Sequence, residues 1–194
     1  MRITGGRFRG RKLVAPAINL AQPAPDRMRE AVFSILQHVV RESRVLDLFA
    51  CSGSLGIEAL SRGADSAVFI DSNPAAIKAV RRNLEELGIA GSAQVIRGDA
   101  YRAAEIINDL EIRSGFDLVL IDPPYALSEN PETLSGLERL VLGLFESDVV
   151  EEQGIVFFRQ RKSASPVLAA HEGLIQDIRV YGTARVAFIE RPEN

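Results

Sequence analysis

Tryptophan is absent from the 194 residues, cysteine occurs once and histidine twice. A single cysteine excludes an internal disulfide framework, and so few thiols and imidazoles leave little for a Cys/His metal site. Aromatic residues are only 6%, and no apolar run approaches the roughly 18 residues that a membrane span needs. The basic opening, residues 1–10, lacks the apolar stretch of a secretory signal. These absences predict a cytoplasmic protein with no membrane segment and no metal. What is present is ordinary for a folded domain: 46% hydrophobic and 25% charged residues, too apolar for disorder. The length suits one compact domain with a small appendage. A net charge of −3 argues against a protein that coats nucleic acid by bulk charge.

That charge is unevenly spread. Up to Arg29 there are seven basic residues (Arg2, Arg7, Arg9, Arg11, Lys12, Arg27 and Arg29) and one acid, Asp26, for a net +6, which leaves −9 for the remainder. A solvated tail would account for this, and so would a local contact with phosphates. Residues 1–25 hold several glycines and prolines and no helical apolar period, which predicts a basic arm with a short hairpin around Gly10. Asp26 is the expected N-cap of a first helix reaching to about Val40, since Met28, Val32, Ile35, Leu36 and Val39 recur at helical spacing.

From there strands and helices alternate. Strands are expected at residues 44–50, 67–71, 93–97, 116–121 and 155–158, and helices at 54–61, 74–87, 101–110 and 134–145. A short helix near 166–171 and an antiparallel hairpin of 174–181 with 183–190 close the chain. Repeated strand–helix units with nearly continuous apolar strands predict an α/β fold: a parallel sheet with helices on both faces. Such sheets bind ligands beyond the carboxyl ends of their strands, so the residues that follow each strand carry the functional information.

After the first strand comes DLFACSGSLG, in which Cys51-x-Gly53-x-x-Gly56 is a dinucleotide fingerprint without its first glycine. Small residues let backbone pass close to a ligand, and the next helix offers free N–H groups, although glycine turns also join strands to helices with no ligand at all. Asp71 ends the second strand, where a carboxylate can take two ribose hydroxyls or cap the helix opening at Pro74. Asp99, in Arg97-Gly98-Asp99-Ala100, can accept from an adenine amino group or close a turn. Asp122-Pro123-Pro124-Tyr125 follows the fourth strand and is the most specific signal. Two prolines stiffen the backbone and leave carbonyls that no amide in the motif can pair. The Asp122 carboxylate and the Pro123 carbonyl can converge on one amino group, and Tyr125 offers a flat face for a base.

In this order, DLFACSGSLG, AVFID, RGDA and IDPPY resemble the ligand loop, ribose acid, adenine contact and catalytic motif of class I S-adenosylmethionine-dependent methyltransferases that methylate amino nitrogens. MRITGGRFRGRKL, PDRMREAVFSIL, LGIEALSRGA and the closing YG turn are similar to the RsmD family, bacterial methyltransferases acting on guanine N2 of small-subunit ribosomal RNA. The resemblance spans nearly the whole chain. It implies a Rossmann-like, mostly parallel seven-stranded sheet with a C-terminal antiparallel hairpin, divided into a basic arm (1–25) and a methyltransferase domain (26–194). It further implies that Asp122, Pro123, Pro124 and Tyr125 form the catalytic motif. The donor would lie against Asp47, Phe49, Ala50, Cys51, Ser52, Gly53 and Gly56, with Asp71 and Ser72 at its ribose and Asp99 and Ala100 at its adenine. Arg7, Arg9, Arg11, Arg27 and Arg29 would hold phosphates of the ribosomal RNA, free or in the small-subunit particle, and the protein would work as a monomer without metal. Two departures stand out: Cys51 replaces a usual glycine, and Gln22 with Ala24-Pro25 replaces Arg and Thr-Thr before the Asp-Arg pair.

Three other functions compete. A DNA adenine-N6 methyltransferase uses the same motif but needs further sequence for target recognition, and the fold consumes the chain after Tyr125. A nicotinamide-dependent oxidoreductase would explain the glycine loop and Asp71 but not DPPY. A non-catalytic RNA-binding protein would not need DPPY. A cytosine-C5 mechanism through Cys51 is disfavoured, because DPPY answers an amine and not a ring carbon. His38 and His171 lack a visible metal partner, and Arg159, Arg161 and Lys162 follow the fifth strand, either solvated or against RNA.

Overall fold

The computed structural model describes residues 1–17, 24–110, 112, 115–169, 171 and 173–192. Seven strands form one sheet: β1 (Arg44–Leu48), β2 (Ser66–Asp71), β3 (Ala93–Arg97), β4 (Phe116–Ile121), β5 (Val150–Arg161), β6 (Ile175–Tyr181) and β7 (Ala184–Glu190). Their order is β3-β2-β1-β4-β5-β7-β6, with β7 alone running against the other six. The described helices are α1 (Asp26–Ile35), α2 (Gln37–Val40), α3 (Ser54–Ser61), α4 (Pro74–Leu87), α5 (Ala103–Asp109), α6 (Tyr125–Glu129) and α7 (Pro131–Glu146). This is the expected Rossmann-like, mostly parallel seven-stranded sheet with a C-terminal antiparallel hairpin.

Strand residues of alternate parity feed two apolar layers, as a pleat requires. Val45, Phe69, Leu118, Leu120 and Phe157 pack with α1, α3 and α4 on one face. Leu46, Leu48, Ile70, Val119, Ile121 and Phe158 pack with α5 and α7 on the other. Both faces of β1 and β4 are therefore covered, which is why these strands read as continuous apolar runs. Local signals set the ends of α4: Asn73 accepts from the Ala75 amide (2.8 Å), Pro74 fills the first turn, and Gly88 stops the helix at φ 70°.

Parallel pairing aligns the strand ends. Leu48 lies beside Ile70 and Ile121, and Ile121 beside Phe158. Asp71, Asp122 and Arg159 each follow one of these residues, so they emerge along one rim. The strand order reverses between β1 and β4, the place where such sheets open a crevice.

Four local expectations are corrected. The first helix is two: Leu36, fully buried with ψ 3°, turns the chain between α1 and α2. Asp26 is not the N-cap; Pro25 holds that position, and the Asp26 carboxylate pairs with Arg29 (2.9 Å) and Arg2 (3.2 Å). Residues 167–169 form a turn and not a helix, because Leu168 adopts a left-handed φ of 53°. The expected helix over 101–110 begins as a 3-10 turn, Ala100–Arg102, before α5.

The basic N-terminal segment is packed onto the domain. Its hairpin is present: the Ile3 amide donates to the Arg11 carbonyl (2.9 Å), and Arg2 bridges Lys12. Ile3 and Leu13 join the core layer that holds Phe33 and Leu36. Gly6, at φ 73°, presses on the end of α3, where an added Cβ would lie 1.8 Å from the Ser61 carbonyl oxygen. The loose tail that charge alone allows is thus not what residues 1–14 form. Gln22 lies outside the described residues.

Candidate active site

The loop after β1 folds tightly. Phe49 (φ 58°), Cys51 (φ 53°) and Gly53 (φ 73°) are all left-handed, a conformation that costs a non-glycine residue roughly 1–2 kcal/mol. Two side chains tie the loop down. Asp47 on β1 accepts from the Gly56 amide at the start of α3 (2.9 Å). Asp71 accepts from the Cys51 amide with one oxygen and from the Asn73 amide with the other (both 2.8 Å). Asp71 is therefore not the cap of α4, a task that Asn73 performs. Gly56 is irreplaceable for packing, since a Cβ there would meet the Phe69 ring at 2.4 Å.

Asp47, Phe49, Ala50, Cys51, Ser52, Asp71, Ser72, Asp99 and all four residues of Asp122-Pro123-Pro124-Tyr125 line one cavity of about 660 Å3. Gly53, Gly56 and Ala100 do not line it. They act from beneath: the two glycines shape the loop, and Ala100 is buried at 3% exposure. Asp99 also accepts from the Tyr101 amide (3.0 Å), so its turn-closing role holds beside its place at the rim. Sequence reasoning misses Tyr101 and Leu127, which line the cavity too. The Tyr101 ring meets Phe49 edge-on at 5.9 Å, a pairing no local motif announces.

The cavity is strongly acidic at its floor. Burial raises the Asp47 carboxyl well above the ordinary carboxylate range, against the Gly56 N–H, with Asp122 and Asp71 raising it further. Asp122 is also raised by burial, with Arg159 pulling the other way. Burial, reinforced by Asp71 and Asp122, pushes the Cys51 thiol up to about 11. A thiol so held is less readily ionised than an ordinary cysteine, which argues against the cytosine-C5 mechanism. Among the described residues no cluster of His, Cys, Asp and Glu could hold a metal ion, and no helix is long and apolar enough to cross a membrane.

The raised Asp47 carboxyl has a stability consequence. Native Asp47 binds its proton more tightly than the unfolded chain does, so ionising it costs stability as pH rises above about 4, the unfolded value. Asp47→Asn keeps an acceptor for Gly56 and removes that cost. Thermal unfolding of the donor-free protein should show the variant at a higher Tm than wild type at pH 7, with the gap closing towards pH 4. A gap that is absent or reversed at pH 7 would contradict this.

The predicted phosphate contacts divide. Arg7, Arg9, Arg11 and Arg27 are exposed. Arg29 is not: its side chain is wholly buried and donates to the carbonyls of Ala24 (2.7 Å) and Arg2 and to Asp26. Its expected contact with RNA is corrected, because the guanidinium is spent inside the protein. Arg159, open between solvent and RNA in the sequence, sits 4% exposed and donates through Nε to Asp122 Oδ1. Both His38 and His171 are exposed.

Comparison with known proteins bears directly on this site. A family described as conserved hypothetical protein 95 matches residues 1–190. YlbH of Bacillus subtilis (strain 168), provisionally named an rRNA methyltransferase, is 32% identical over 191 residues, covering 98% of this chain and 99% of YlbH. Ribosomal RNA small subunit methyltransferase D of Escherichia coli (strain K12) is 37% identical over 138 residues, 71% of this chain and 67% of that protein. This chain belongs to the RsmD family. In structure, this RsmD-family chain superposes on a hypothetical protein of Thermus thermophilus with a TM-score of 0.79 and 30% identity, covering 98% and 99% of the two chains. A methyltransferase structure complexed with SAH shares the fold at TM-score 0.64 and 16% identity, over 83% of the RsmD-family chain and 48% of the other.

Proposed function

We propose that this protein transfers a methyl group from S-adenosylmethionine to the exocyclic N2 of a guanine in small-subunit ribosomal RNA. The observation that carries the reading is the position of Asp122-Pro123-Pro124-Tyr125: it borders the same acid-floored cavity as the β1 loop, at the point where the strand order reverses. The membership in the RsmD family supports an rRNA methyltransferase. The choice of guanine N2 rests on the motif and the family resemblance.

The residues present fit the donor. A cavity of about 660 Å3 is within the usual range for a small-molecule site. Four carboxylates suit a cation, and each retains acceptor sites beyond the bonds it already makes. Asp71 would hold ribose hydroxyls, Asp99 the adenine amino group, and Asp47 with the β1 loop the methionine end. When bound, S-adenosylmethionine supplies an electrophilic methyl on a sulfonium, an intrinsically good leaving group. The protein's own contribution is then mainly positioning. An aromatic amine is a weak nucleophile because its lone pair is delocalised. Asp122 and the Pro123 carbonyl, by accepting its two N–H bonds, would favour a pyramidal nitrogen with the lone pair free. Asp122 need not be a strong base, since the proton becomes acidic only as nitrogen is alkylated. The target base must leave its stack to reach the pocket, where Tyr125 would clamp it.

Incubation of small-subunit ribosomal RNA, free and in particles, with isotopically labelled donor and mapping of the product nucleoside tests this. N2-methylguanosine supports it, N6-methyladenosine supports the DNA-type rival chemistry, and no incorporation from active donor-binding protein refutes catalysis. Calorimetry that finds NAD binding and no donor binding would refute the cofactor.

The exposed arginines of the hairpin would bind phosphate, which positions RNA without choosing a base. Because Ile3 and Leu13 are core residues, deleting residues 1–14 would damage the fold; neutralising Arg7, Arg9 and Arg11 together is the cleaner variant. Its RNA affinity should fall, and the slope of log affinity against log salt should flatten by about 0.7–0.9 for each phosphate no longer neutralised. Donor affinity should hold. An unchanged salt slope would return these side chains to ordinary surface.

A further inference from the structure

We infer that Arg159 is a positioning residue for methyl transfer: it fixes one oxygen of Asp122, leaves the other to accept the target amine, and braces the Tyr125 ring. The inference rests on the methyltransferase function proposed above and adds to it a residue outside the catalytic motif.

The geometry is specific. Register pairs Phe158 with Ile121, so Arg159 on β5 and Asp122 leave the rim as neighbours. A strand-end arginine without a task would extend into solvent. This one is 4% exposed and lines the donor cavity. Its Nε donates to Asp122 Oδ1, and its guanidinium carbon lies 4.9 Å from the centroid of the Tyr125 ring. Arg161, two residues on, stands at the same distance from that ring and pairs with Glu129 at the end of α6 (2.8 Å). Motif carboxylate and motif ring are thus gripped by one planar group. Lysine could not reproduce this, because it is a point charge without a fork or a stacking face.

The charges around Asp122 explain why a cation is needed. Asp47 on β1, Asp71 on β2 and the Cys51 thiol face the same space, and Arg29 on α1 contributes a more distant positive charge. Burial raises the Asp122 carboxyl, while the charge and hydrogen bond of Arg159 lower it. Without Arg159 the acid would hold its proton to higher pH, and a protonated carboxyl presents a donor where the amine needs an acceptor. With Arg159 in place the carboxylate still has room for the amine, since each oxygen accepts more than one bond.

The test is the pH dependence of kcat for full-length wild type, Arg159→Gln and Arg159→Lys, with small-subunit RNA and S-adenosylmethionine, alongside donor binding by calorimetry. Arg159→Gln should lower kcat at neutral pH roughly ten- to hundredfold, the range for losing one charged hydrogen bond. It should also move the acid limb to higher pH, with donor affinity within a few-fold of wild type. Arg159→Lys should restore the acid limb but only part of kcat. A loss that is uniform across pH, or no loss, overturns the positioning role. If the Gln variant does not fold, full kcat in Arg159→Lys overturns it equally. Wild-type protein that methylates no RNA defeats the underlying function instead, so the two failures are told apart.

Discussion

Asp122→Ala should abolish methyl transfer while leaving donor affinity within a few-fold of wild type. In the proposed site the donor would be gripped mainly elsewhere, by the β1 loop, Asp71 and Asp99, whereas the target amine would have Asp122 as its only charged acceptor within the Asp-Pro-Pro-Tyr motif. Losing a preorganised group aimed at developing charge costs on the order of 10²–10³ in rate, and here the same loss also breaks the Arg159–Asp122 pair. Alanine therefore confounds two effects, and Asp122→Asn is the necessary companion. Asparagine keeps the volume and one carbonyl oxygen but sets an NH2 against either Arg159 or the amine, so it should lie close to alanine in kcat. Single-turnover transfer with saturating donor, together with calorimetry, measures both quantities. Wild-type transfer by Asp122→Asn would remove Asp122 from the mechanism.

What the sequence discloses of this site, and what it withholds, follows from the range of the forces involved. Residues 116–121 read as a buried strand and are one, Asp71 ends its strand and Asp122 follows its own as expected, because apolar strand runs and glycine-rich turns are local signals. Parallel register then gathers the strand ends without further instruction. The role of Arg159 depends on β5 lying next to β4, a pairing that no local pattern encodes, so its sequence allows solvent and RNA equally. Strand β5 is visible only in part: the apolar run predicts residues 155–158, and the strand runs Val150–Arg161, past a register shift that breaks the apolar pattern. The five-residue α6 is too short for a period to show. Arg29 misleads for the same reason as Arg159. A charge in a basic stretch looks solvated until the tertiary partners that enclose it are known.

Those partners carry the second large effect. Glu58→Ala should destabilise the protein by about 3–5 kcal/mol, the usual penalty for stripping one member from a buried ion pair. Glu58 is wholly buried, the only charged residue in α3, and it is one of the points where the N-terminal hairpin is fastened, alongside Ser61 and Asn83. One oxygen accepts the Thr4 amide (2.8 Å) and the other accepts Thr4 Oγ1 and Arg62 Nε (both 2.8 Å). Arg29 Nε stands 3.9 Å from Glu58 Oε2. Alanine leaves the buried Arg29 guanidinium with Asp26 as its one remaining countercharge and the Thr4 amide without its acceptor. For a chain of this size the loss corresponds to a fall in Tm of roughly 6–20 °C. Arg62→Ala is the control: Arg62 is partly exposed, so its removal costs less. Function should follow the hairpin, because Arg7, Arg9 and Arg11 are displayed from a scaffold that Glu58 helps to anchor. Below its own Tm the Glu58 variant should therefore bind RNA more weakly than wild type. Denaturant unfolding measures the stability, and a change under about 1 kcal/mol would show that the hairpin is held by Ile3 and Leu13 and not by this buried charge cluster.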